Sequence, residues 1–233
     1  MRVLITGCSS GIGRDAAAVL TARGHEVVAT ARRVEDLAGL EVAVRLPLDV
    51  TDAAAIAAVV EQAGPIDALV NNAGFSLWGP VELVPTELED RMLATNLVGA
   101  MRMTRAFLPG MRTRGFGRVV QVSSLAAQTG RPLVGLYAAS KAGLEAWSTA
   151  LREEVAGFGI GVTVIRVGAV ESAVEDKRIV IDGTGSDYAE FVAETMAGLR
   201  AVRGERLPAS RVSEAIGEAI EAGTAPAVLR VAP

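Results

Sequence analysis

Two side chains that could move a proton lie one helical turn apart: Tyr137 and Lys141, in the run Tyr-Ala-Ala-Ser-Lys. Positions i and i+4 share one face of a helix, so the Lys141 ammonium is predicted to lie close to the Tyr137 phenol. A neighbouring positive charge favours the phenolate and lowers a phenol pKa from its ordinary value of about 10. The pair therefore predicts a tyrosine that exchanges a proton near neutral pH, although the same spacing is also common on solvated helices.

Two serine hydroxyls precede this pair. Ser123 and Ser124 end an apolar, strand-like run, thirteen to fourteen residues before Tyr137. A hydroxyl at the end of a strand could hold an oxygen atom of a substrate, but a Ser-Ser dipeptide is weak evidence when taken alone.

Length and composition narrow the class of protein. The chain has 233 residues, half of them apolar, and a net charge of −4. One domain spanning residues 1–233 is expected. The arginines are scattered rather than gathered in a basic stripe, so no nucleic-acid partner is predicted. No run of eighteen apolar residues and no signal-peptide pattern is found, which predicts a cytoplasmic protein with no membrane segment.

Cysteine and histidine each occur once. With Cys8 alone, neither an intramolecular disulfide nor a cysteine-based zinc site can form, and no metal site is predicted. Cys8 is expected to fill space in a loop, with a reactive thiolate at a helix N-terminus as the alternative. His25 follows Gly24 at a predicted turn and is expected at the surface, so no Ser-His or Cys-His hydrolase chemistry is predicted.

Short β-branched runs alternate with longer helical patterns along the chain. Several strand patterns are apolar throughout, as in Ala68-Leu69-Val70, which is typical of parallel sheets covered on both faces. The sequence thus predicts an α/β fold, a single-domain Rossmann-like, doubly wound parallel β-sheet with helices on both faces. Predicted strands are Arg2–Thr6, Glu26–Thr30, Val42–Leu48, Ile66–Asn71, Arg118–Val122, Gly161–Val167 and Ala227–Val231; predicted helices are Ile12–Arg23, Asp52–Gln62, Thr86–Arg112, Tyr137–Phe158, Tyr188–Arg200 and Ser210–Ala222.

A glycine-rich loop follows the first predicted strand and opens a helix: Thr6-Gly7-Cys8-Ser9-Ser10-Gly11-Ile12-Gly13. Glycines let the backbone approach a pyrophosphate closely, and the helix N-terminus offers unpaired N–H groups and the positive end of its dipole. The spacing Gly-x-x-x-Gly-x-Gly differs from the commoner Gly-x-Gly-x-x-Gly. Its place after the first strand of a βαβ unit predicts a dinucleotide site.

The end of the second strand bears on which dinucleotide is bound. It reads Ala31-Arg32-Arg33 and has no acidic residue to bind ribose hydroxyls. An arginine can instead pair with a 2′-phosphate through its planar donor fork. NADP(H) is therefore predicted over NAD(H), with Arg32 as the main contact and Arg33 as a stacking or second phosphate contact. Two arginines on a solvated loop are the alternative.

With these features together, the chain resembles the short-chain dehydrogenase/reductase family, in its compact single-domain branch. The resemblance covers about residues 1–172. The family's motifs occur in the family's order: the glycine loop, Asp49 with Val50, Asn71-Asn72-Ala73-Gly74, Asn96, Ser124 and Tyr137 with Lys141. The resemblance implies a catalytic set of Asn96, Ser124, Tyr137 and Lys141. The predicted cofactor contacts are Gly7, Ser9, Ser10, Gly11, Ile12, Gly13, Arg32, Arg33, Asp49, Val50, Asn71, Ala73, Gly74, Tyr137, Lys141, Val170 and Ser172.

The resemblance also implies a chemistry, the interconversion of a carbonyl and an alcohol. Ser124 would hydrogen-bond the carbonyl oxygen, and Tyr137 would donate the proton while the nicotinamide delivers hydride. Lys141 would bind the nicotinamide ribose, and Asn96 would hold a water that relays protons. The glycine loop from Thr6 to Gly13 and the segment from Phe75 to Pro80, with Trp78, most resemble hydroxysteroid- and retinol-dehydrogenase-like members.

One position departs from the family's pattern. Val167 precedes Gly168 where the family usually has proline, which frees φ and restores a backbone N–H. Looser carboxamide positioning is expected to affect turnover more than cofactor binding, and Ser172 can replace the usual threonine. Arg166, just before Val167, is expected to pair with Glu171 or another acid, with an acidic substrate as the alternative.

The substrate is predicted only by class, as a small, apolar carbonyl compound or alcohol. Phe75, Leu77, Trp78 and Leu133 could line an apolar pocket or be ordinary packing. Residues 171–200 are predicted as a substrate-binding lid, with the weakest pattern from Glu171 to Asp187. The helices Thr86–Arg112 and Tyr137–Phe158 carry surplus apolar residues, including Trp147 and Leu151. The resemblance implies that copies of the chain pair through these helices, so a homodimer or homotetramer is expected.

Two other functions are compatible with parts of this pattern. A dinucleotide-binding regulatory or sensor protein with little turnover would keep the glycine loop but lose catalytic residues. A sugar-nucleotide epimerase or dehydratase shares the Tyr-x-x-x-Lys pair but usually needs a larger C-terminal substrate domain. Neither alternative accounts for all the motifs as well as an oxidoreductase does.

Overall fold

The computed structural model describes residues 1–171, 178–201 and 206–232. Its strands are β1 Arg2–Ile5, β2 Glu26–Ala31, β3 Val44–Pro47, β4 Ala68–Asn71, β5 Leu77–Trp78, β6 Gly117–Ser124, β7 Ile160–Val167, β8 Val170–Glu171, β9 Ile179–Val180, β10 Leu207–Pro208 and β11 Val228–Val231. Its helices are α1 Gly11–Ala22, α2 Ala53–Ala63, α3 Thr86–Leu93, α4 Ala100–Arg114, α5 Gly135–Ala156, α6 Ala189–Ala201 and α7 Ala209–Glu221.

Seven strands form one parallel sheet in the order β11-β7-β6-β4-β1-β2-β3. These are the seven strands that the sequence predicts, and the doubly wound α/β class is confirmed. β4 is buried at all four residues, which explains why its sequence does not alternate between polar and apolar side chains.

The sheet is covered on both faces, and each face has its own apolar core. On one face, α1 and α7 pack against the central strands through residues such as Leu20 and Ile216. On the other face, α2, α4 and α5 contribute residues such as Val59, Phe107 and Leu151. Leu151 thus belongs to the core of the chain, and Trp147 packs against the same core. The prediction that these two residues are surplus apolar residues is therefore wrong.

Local signals fix where the helices start and stop. At the start of α2, the Asp52 carboxylate accepts a hydrogen bond of 2.8 Å from the Ala54 amide, which satisfies an otherwise unpaired helix N–H. At the end of α4, Gly115 adopts a left-handed φ of 66°, a conformation that other residues rarely adopt.

The predicted helix Thr86–Arg112 is interrupted in the structure. Between α3 and α4, residues Ala94–Gly99 form a π-helical segment that contains Asn96. Such wide turns are costly and are found frequently at functional sites, because they turn side chains away from the regular helical face. The interruption changes which neighbours Asn96 meets.

The order of the strands places a crevice above the sheet. The chain builds outward from β1 through β2 to β3, then returns to the other side of β1 with β4 and continues through β6 and β7. The connections from β1 and β4 therefore leave in opposite directions and open a gap at their carboxyl ends. In open parallel sheets this switch point is where ligands bind.

Short strands beyond the main sheet build a roof over this crevice. β5 pairs with β9, and β8 pairs with β10. Within the predicted lid of residues 171–200, residues 178–200 thus include β9 and all of α6 except its last residue. Residues 172–177, and with them the predicted contact Ser172, lie outside the described residues.

The helices of the described residues were compared with the length and hydropathy that a membrane-spanning helix needs. None of their helices combines the length and the apolar character needed to cross a bilayer.

The glycine loop is clamped to β4 by one side chain. The Asn72 amide nitrogen donates hydrogen bonds to the carbonyl oxygens of Thr6, at 2.9 Å, and Gly7, at 3.2 Å. α1 packs so closely against this clamp that a Cβ on Gly13 would lie 2.4 Å from the Asn72 amide nitrogen and 2.4 Å from the Gly7 oxygen. Only glycine fits there.

We expect Gly13→Ala to destabilise the fold by roughly 1–3 kcal/mol, because backbone atoms must move to admit the methyl group. Gly198→Ala is the matched control: Gly198 lies in α6 with open space around its Cα, so the same change should stabilise by about 0.5–1 kcal/mol. Urea unfolding measures both. Equal stability of Gly13→Ala and wild type would contradict the predicted contact.

Candidate functional site

A large cleft of about 1200 Å³ lies over the carboxyl ends of the central strands. The glycine loop forms one wall, with Gly7, Ser9, Ser10 and Ile12 on the cleft surface. Gly7 and Gly11 adopt left-handed φ values of 77° and 57°, which turn the chain sharply from β1 into α1. Gly11 and Gly13 shape this wall without lining it.

The chain offers a cradle for a phosphate at this wall. A Cβ on Gly7 would lie only 2.9 Å from the Ala73 Cα, so backbone atoms of the two segments approach each other directly. The start of α1 presents its unpaired N–H groups at the same place. The cradle therefore fits the pyrophosphate of a dinucleotide.

The far end of the cleft combines a cation and a carboxylate. Arg32, Asp49, Val50 and Thr51 line it. Burial alone would raise the pKa of Asp49, but hydrogen bonds from the Thr51 side chain and amide, at 2.7 and 2.9 Å, and the charge of Arg32 outweigh burial and lower it. Asp49 is thus an ionised acceptor, and Arg32 an exposed donor beside it.

Arg33 lies outside the cleft lining. Its guanidinium binds the Asp36 carboxylate at 2.6 and 3.2 Å, and this pair raises the pKa of Arg33. The structure thus brings only one of the two predicted arginines to the cleft.

The segment Asn71–Gly74 lies partly in the core and partly on the cleft surface. Asn71 is buried, and its amide donates to the Thr104 hydroxyl at 2.9 Å on the far side of the sheet. Asn72, Ala73 and Gly74 line the cleft. Asn71 therefore supports the sheet rather than facing a ligand, whereas Ala73 and Gly74 lie where the sequence predicts.

Two hydroxyls meet in the middle of the cleft. Ser124, at the end of β6, and Tyr137, in the first turn of α5, both line the cleft, and the Ser124 side chain acts on the phenol to lower its pKa. Ser124 also accepts a hydrogen bond of 3.2 Å from the Ala126 amide, which fixes its rotamer. The neighbouring Ser123 instead donates to the Glu145 carboxylate at 2.7 Å. Ser124, not Ser123, is the partner of Tyr137.

The predicted lowering of the Tyr137 pKa is wrong for this structure. Burial of the phenol raises its pKa and outweighs two opposing influences, the Ser124 side chain and the charge of Arg178. The sequence points to Lys141 as the source of positive charge, whereas the structure points to Arg178, which is 41 residues from Tyr137 and could not be placed by helical spacing.

Lys141 is buried, with 6% of its surface exposed, and its ammonium donates to the Val122 carbonyl at 2.7 Å. Burial lowers its pKa to about 8, and the negative charge of Glu145, one turn further along α5, opposes this shift. Near neutral pH the ammonium is therefore charged but close to its titration point.

Asn96 lies next to Lys141 and faces the chain instead of the cleft. Its amide nitrogen donates to the Phe75 carbonyl at 2.9 Å, and its amide oxygen accepts from the Phe75 N–H at 3.0 Å. A Cβ on Gly74 would lie 3.0 Å from that oxygen and 3.8 Å from the Lys141 ammonium nitrogen. The side chain of Asn96 thus fixes the backbone that carries Phe75 past the lysine.

The departure at Val167 falls on the cleft wall. Val167, Gly168, Ala169 and Val170 all line the cleft, and the Gly168 N–H donates to the Val231 carbonyl at 2.8 Å. β11 therefore holds this turn from behind, even without a proline.

The roof of the cleft is partly apolar. Of the four predicted apolar residues, Phe75 and Trp78 line the cleft, whereas Leu77 and Leu133 are buried in packing. α6 adds Met196 and Leu199, so this part of the predicted lid does border the cleft. The roof also carries cations that the sequence analysis did not single out: Arg91, Arg131, Arg178 and Arg206.

Three other predictions have definite outcomes. Cys8 is fully buried and its pKa is raised to about 12 by burial, which leaves it an inert space-filler. Arg166 pairs with Glu145 at 2.8 Å, as the expectation of an acidic partner allows. His25 sits at its predicted turn but is largely covered, and its ring hydrogen-bonds Glu221 at 2.8 Å.

A doubly wound parallel sheet with a glycine loop at its switch point defines the class of Rossmann-like dinucleotide-binding folds. A family model described as short chain dehydrogenase matches residues 1–179. The chain belongs to the short-chain dehydrogenase/reductase family, a family of oxidoreductases.

Named relatives agree with this assignment. The 3-ketodihydrosphingosine reductase of Bacteroides thetaiotaomicron is 37% identical over 195 residues, which cover 81% of this chain and 71% of the relative. The closed form of serine dehydrogenase complexed with NADP+ is 29% identical, with a TM-score of 0.86 over 100% of this chain and 95% of that one. The 3-ketoacyl-(acyl-carrier-protein) reductase of Brucella melitensis, complexed with NADH, is 25% identical, with a TM-score of 0.84 over 99% and 96%.

The buried ammonium makes stability depend on pH. Between pH 8 and 10.5 the folded state binds fewer protons at Lys141 than the unfolded state, whose lysine keeps its ordinary pKa, so stability should rise with pH. We expect the free energy of unfolding of wild type, relative to Lys141→Met, to increase over this interval by on the order of 3 kcal/mol. Urea unfolding of both proteins across the interval measures it; parallel curves would show that folding does not lower the pKa of Lys141.

Proposed function

We propose that this protein is an NADP(H)-dependent oxidoreductase that interconverts a carbonyl and a primary or secondary alcohol, with Tyr137 as the general acid and base. The observation that carries the proposal is the Ser124–Tyr137 hydroxyl pair in the open cleft, next to the buried Lys141 ammonium. Family membership supports the reaction class.

The hydroxyl pair is arranged to hold and protonate one oxygen atom. Ser124 is held by the Ala126 amide and can donate to a carbonyl oxygen placed beside Tyr137. The raised pKa keeps Tyr137 protonated at neutral pH, so it is ready to donate its proton during reduction. As the phenolate forms, Ser124 and the charge of Arg178 stabilise it.

A bound nicotinamide dinucleotide would supply or accept the hydride. The glycine-loop wall, the Asp49–Val50 end and the Ala73–Gly74 turn would hold it, with Val170 and the catalytic pair at the reactive end. Three further cofactor contacts are part of the proposal but do not line the cleft in the described structure. Asn71 faces the core, and Arg33 pairs with Asp36. Ser172 lies outside the described residues.

The proposed role of Asn96 is to hold a water molecule that relays protons through Lys141. The contact between the Asn96 amide and Phe75 supports a positioning part in this role, since it places the chain beside the ammonium. Lys141, with a pKa of about 8, could pass a proton in either direction near neutral pH.

The substrate is proposed to have an apolar body, because Phe75, Trp78, Met196 and Leu199 line the roof. Residues 171–200 are proposed as the lid that closes over it, within one domain of residues 1–233. We further propose a cytoplasmic protein, in keeping with its single free thiol, and a homodimer or homotetramer formed through α4 and α5, where Phe158, two residues after α5, is exposed.

Tyr137→Phe should lower the turnover of NADPH with ketones and aldehydes by about 100- to 10,000-fold, because the proton donor is lost. NADPH binding, followed by fluorescence, should be unchanged. Tyr188→Phe is the matched control: Tyr188 is the other tyrosine of the chain, and its hydroxyl donates to Glu82 at 2.5 Å on the surface. Turnover by Tyr137→Phe at the wild-type rate would rule out the proposed acid. Wild type that binds NADPH but reduces no carbonyl compound would favour a dinucleotide sensor instead.

Arg32→Ala should weaken NADPH binding by about tenfold or more and leave NADH binding nearly unchanged, since only NADPH carries the 2′-phosphate. Arg33→Ala should cost less, because the Arg33 guanidinium already binds Asp36. Titration of both cofactors into the three proteins measures this. Tighter binding of NADH than of NADPH by wild type would refute the preference for NADP(H).

A further inference from the structure

A charged group lies behind the proposed catalytic residues, between α5 and the sheet. Glu145 follows Lys141 by one helical turn, and only 13% of its side chain is exposed. Carboxylates are rarely covered to this extent unless partners replace the water that they lose. Glu145 is not part of the cleft lining, so any influence on the reaction must pass through another side chain.

Both oxygens of the Glu145 carboxylate accept hydrogen bonds. Oε1 accepts from the Ser123 hydroxyl at 2.7 Å, and Oε2 accepts from Nε and Nη2 of Arg166 at 2.9 and 2.8 Å. Ser123 and Arg166 are partners in the register of β6 and β7, so the two anchors lie side by side on the sheet. A carboxyl group that only accepts hydrogen bonds is an ionised one. The sheet therefore holds one negative charge in a fixed orientation.

The Lys141 ammonium lies on the same face of α5 as this carboxylate, because the two residues are four apart. It donates to the Val122 carbonyl at 2.7 Å, directly beside Ser123 in β6. Burial lowers the pKa of Lys141, and the negative charge of Glu145 opposes that shift. Without the carboxylate, a buried ammonium would lose its counter-charge and would release its proton more readily.

The other charges at this corner are positive. The carboxyl end of β6 and the segment Ala94–Gly99 contribute neutral side chains there. Glu145 is therefore the group that balances the ammonium. In the part of the chain that the structure describes, the titratable and charged groups around Lys141 are Tyr137 and Glu145 on α5, Arg166 on β7, and Arg91 and Arg178 in the roof of the cleft.

We propose that Glu145 is a positioning residue for the reaction, whose anchored carboxylate keeps the Lys141 ammonium protonated so that Lys141 can bind the nicotinamide ribose and pass protons on. This inference rests on the oxidoreductase function proposed above. Because the ammonium loses its proton as the pH rises, Glu145 sets the upper end of the pH range in which a carbonyl is reduced. It does so from outside the cleft, where it occupies no space that a ligand needs.

The lysine content of the chain allows a direct test, since Lys141 and Lys177 are its only two lysines. In Lys177→Arg, ¹³C-labelled lysine reports Lys141 alone, and NMR follows its chemical shift against pH. The titration midpoint should lie at about 8 and fall by about one pH unit in Glu145→Gln, which keeps the shape of the side chain but removes its charge. Glu145→Asp, which keeps the charge, should restore most of this change.

Glu154→Gln is the matched control, because Glu154 is exposed on the same helix. It should leave the midpoint of Lys141 unchanged. If Glu145→Gln does not fold because Arg166 has lost its counter-charge, the double variant Glu145→Gln with Arg166→Gln replaces the ion pair by two amides, and its midpoint should fall in the same direction. An unchanged midpoint would overturn the proposal and leave Glu145 as a structural link between α5 and β7.

The pH profile of turnover connects the ammonium with the reaction. With NADPH and a ketone, kcat/KM of wild type should fall above about pH 8, and in Glu145→Gln the fall should begin about one pH unit lower. The variant should then lose about tenfold at about pH 9 and little at about pH 6. A midpoint that moves while the profile stays would refute the role in the reaction. A moved midpoint in a protein that reduces no carbonyl compound would support the coupling of Glu145 to Lys141 and count against the oxidoreductase function.

Discussion

The buried ammonium of Lys141 is the constraint on which the proposed catalytic corner, Ser124 and Tyr137, depends. A charge removed from water needs compensating partners, and here the Val122 carbonyl accepts its hydrogen bond while Glu145 supplies the opposite charge. Glu145 is itself held by Ser123 and by Arg166. One cation thus ties β6, α5 and β7 together at their functional ends, and this places Ser124 and Tyr137 within reach of each other.

The two halves of the cleft differ in what forms their surface, backbone in one and side chains in the other. The half formed by the glycine loop and Asn72 is made of backbone in close contact, where a single added methyl group would collide. The half under β5, β9 and α6 is made of side chains, apolar and cationic, on segments outside the main sheet. Backbone contact suits a ligand part that never varies, and side chains suit one that differs between relatives, since they change without disturbing the sheet.

Sequence reasoning succeeded where the cause was local. The seven main strands follow from apolar runs, and the glycine loop follows from residue type and position. It failed where the outcome depended on distant neighbours. Helical spacing put Lys141 beside Tyr137, yet burial raised the pKa of the phenol, and Arg178, forty-one residues away, was the cation that acted on it. The break at Ala94–Gly99 was missed, and the choice between pocket lining and packing for Leu77 and Leu133 stayed open, for the same reason, since each depends on what packs against it.

The sequence by itself determined the fold class, the family and the residue types of the proposed catalytic set, because these depend on periodicity and on spacing along the chain. The tertiary structure decided which of those residues face the cleft. It turned Asn71 toward Thr104, paired Arg33 with Asp36, and gathered arginines from four separate segments into the roof. The physical reason is that burial and charge are properties of a place in space, and only folding brings distant segments to that place.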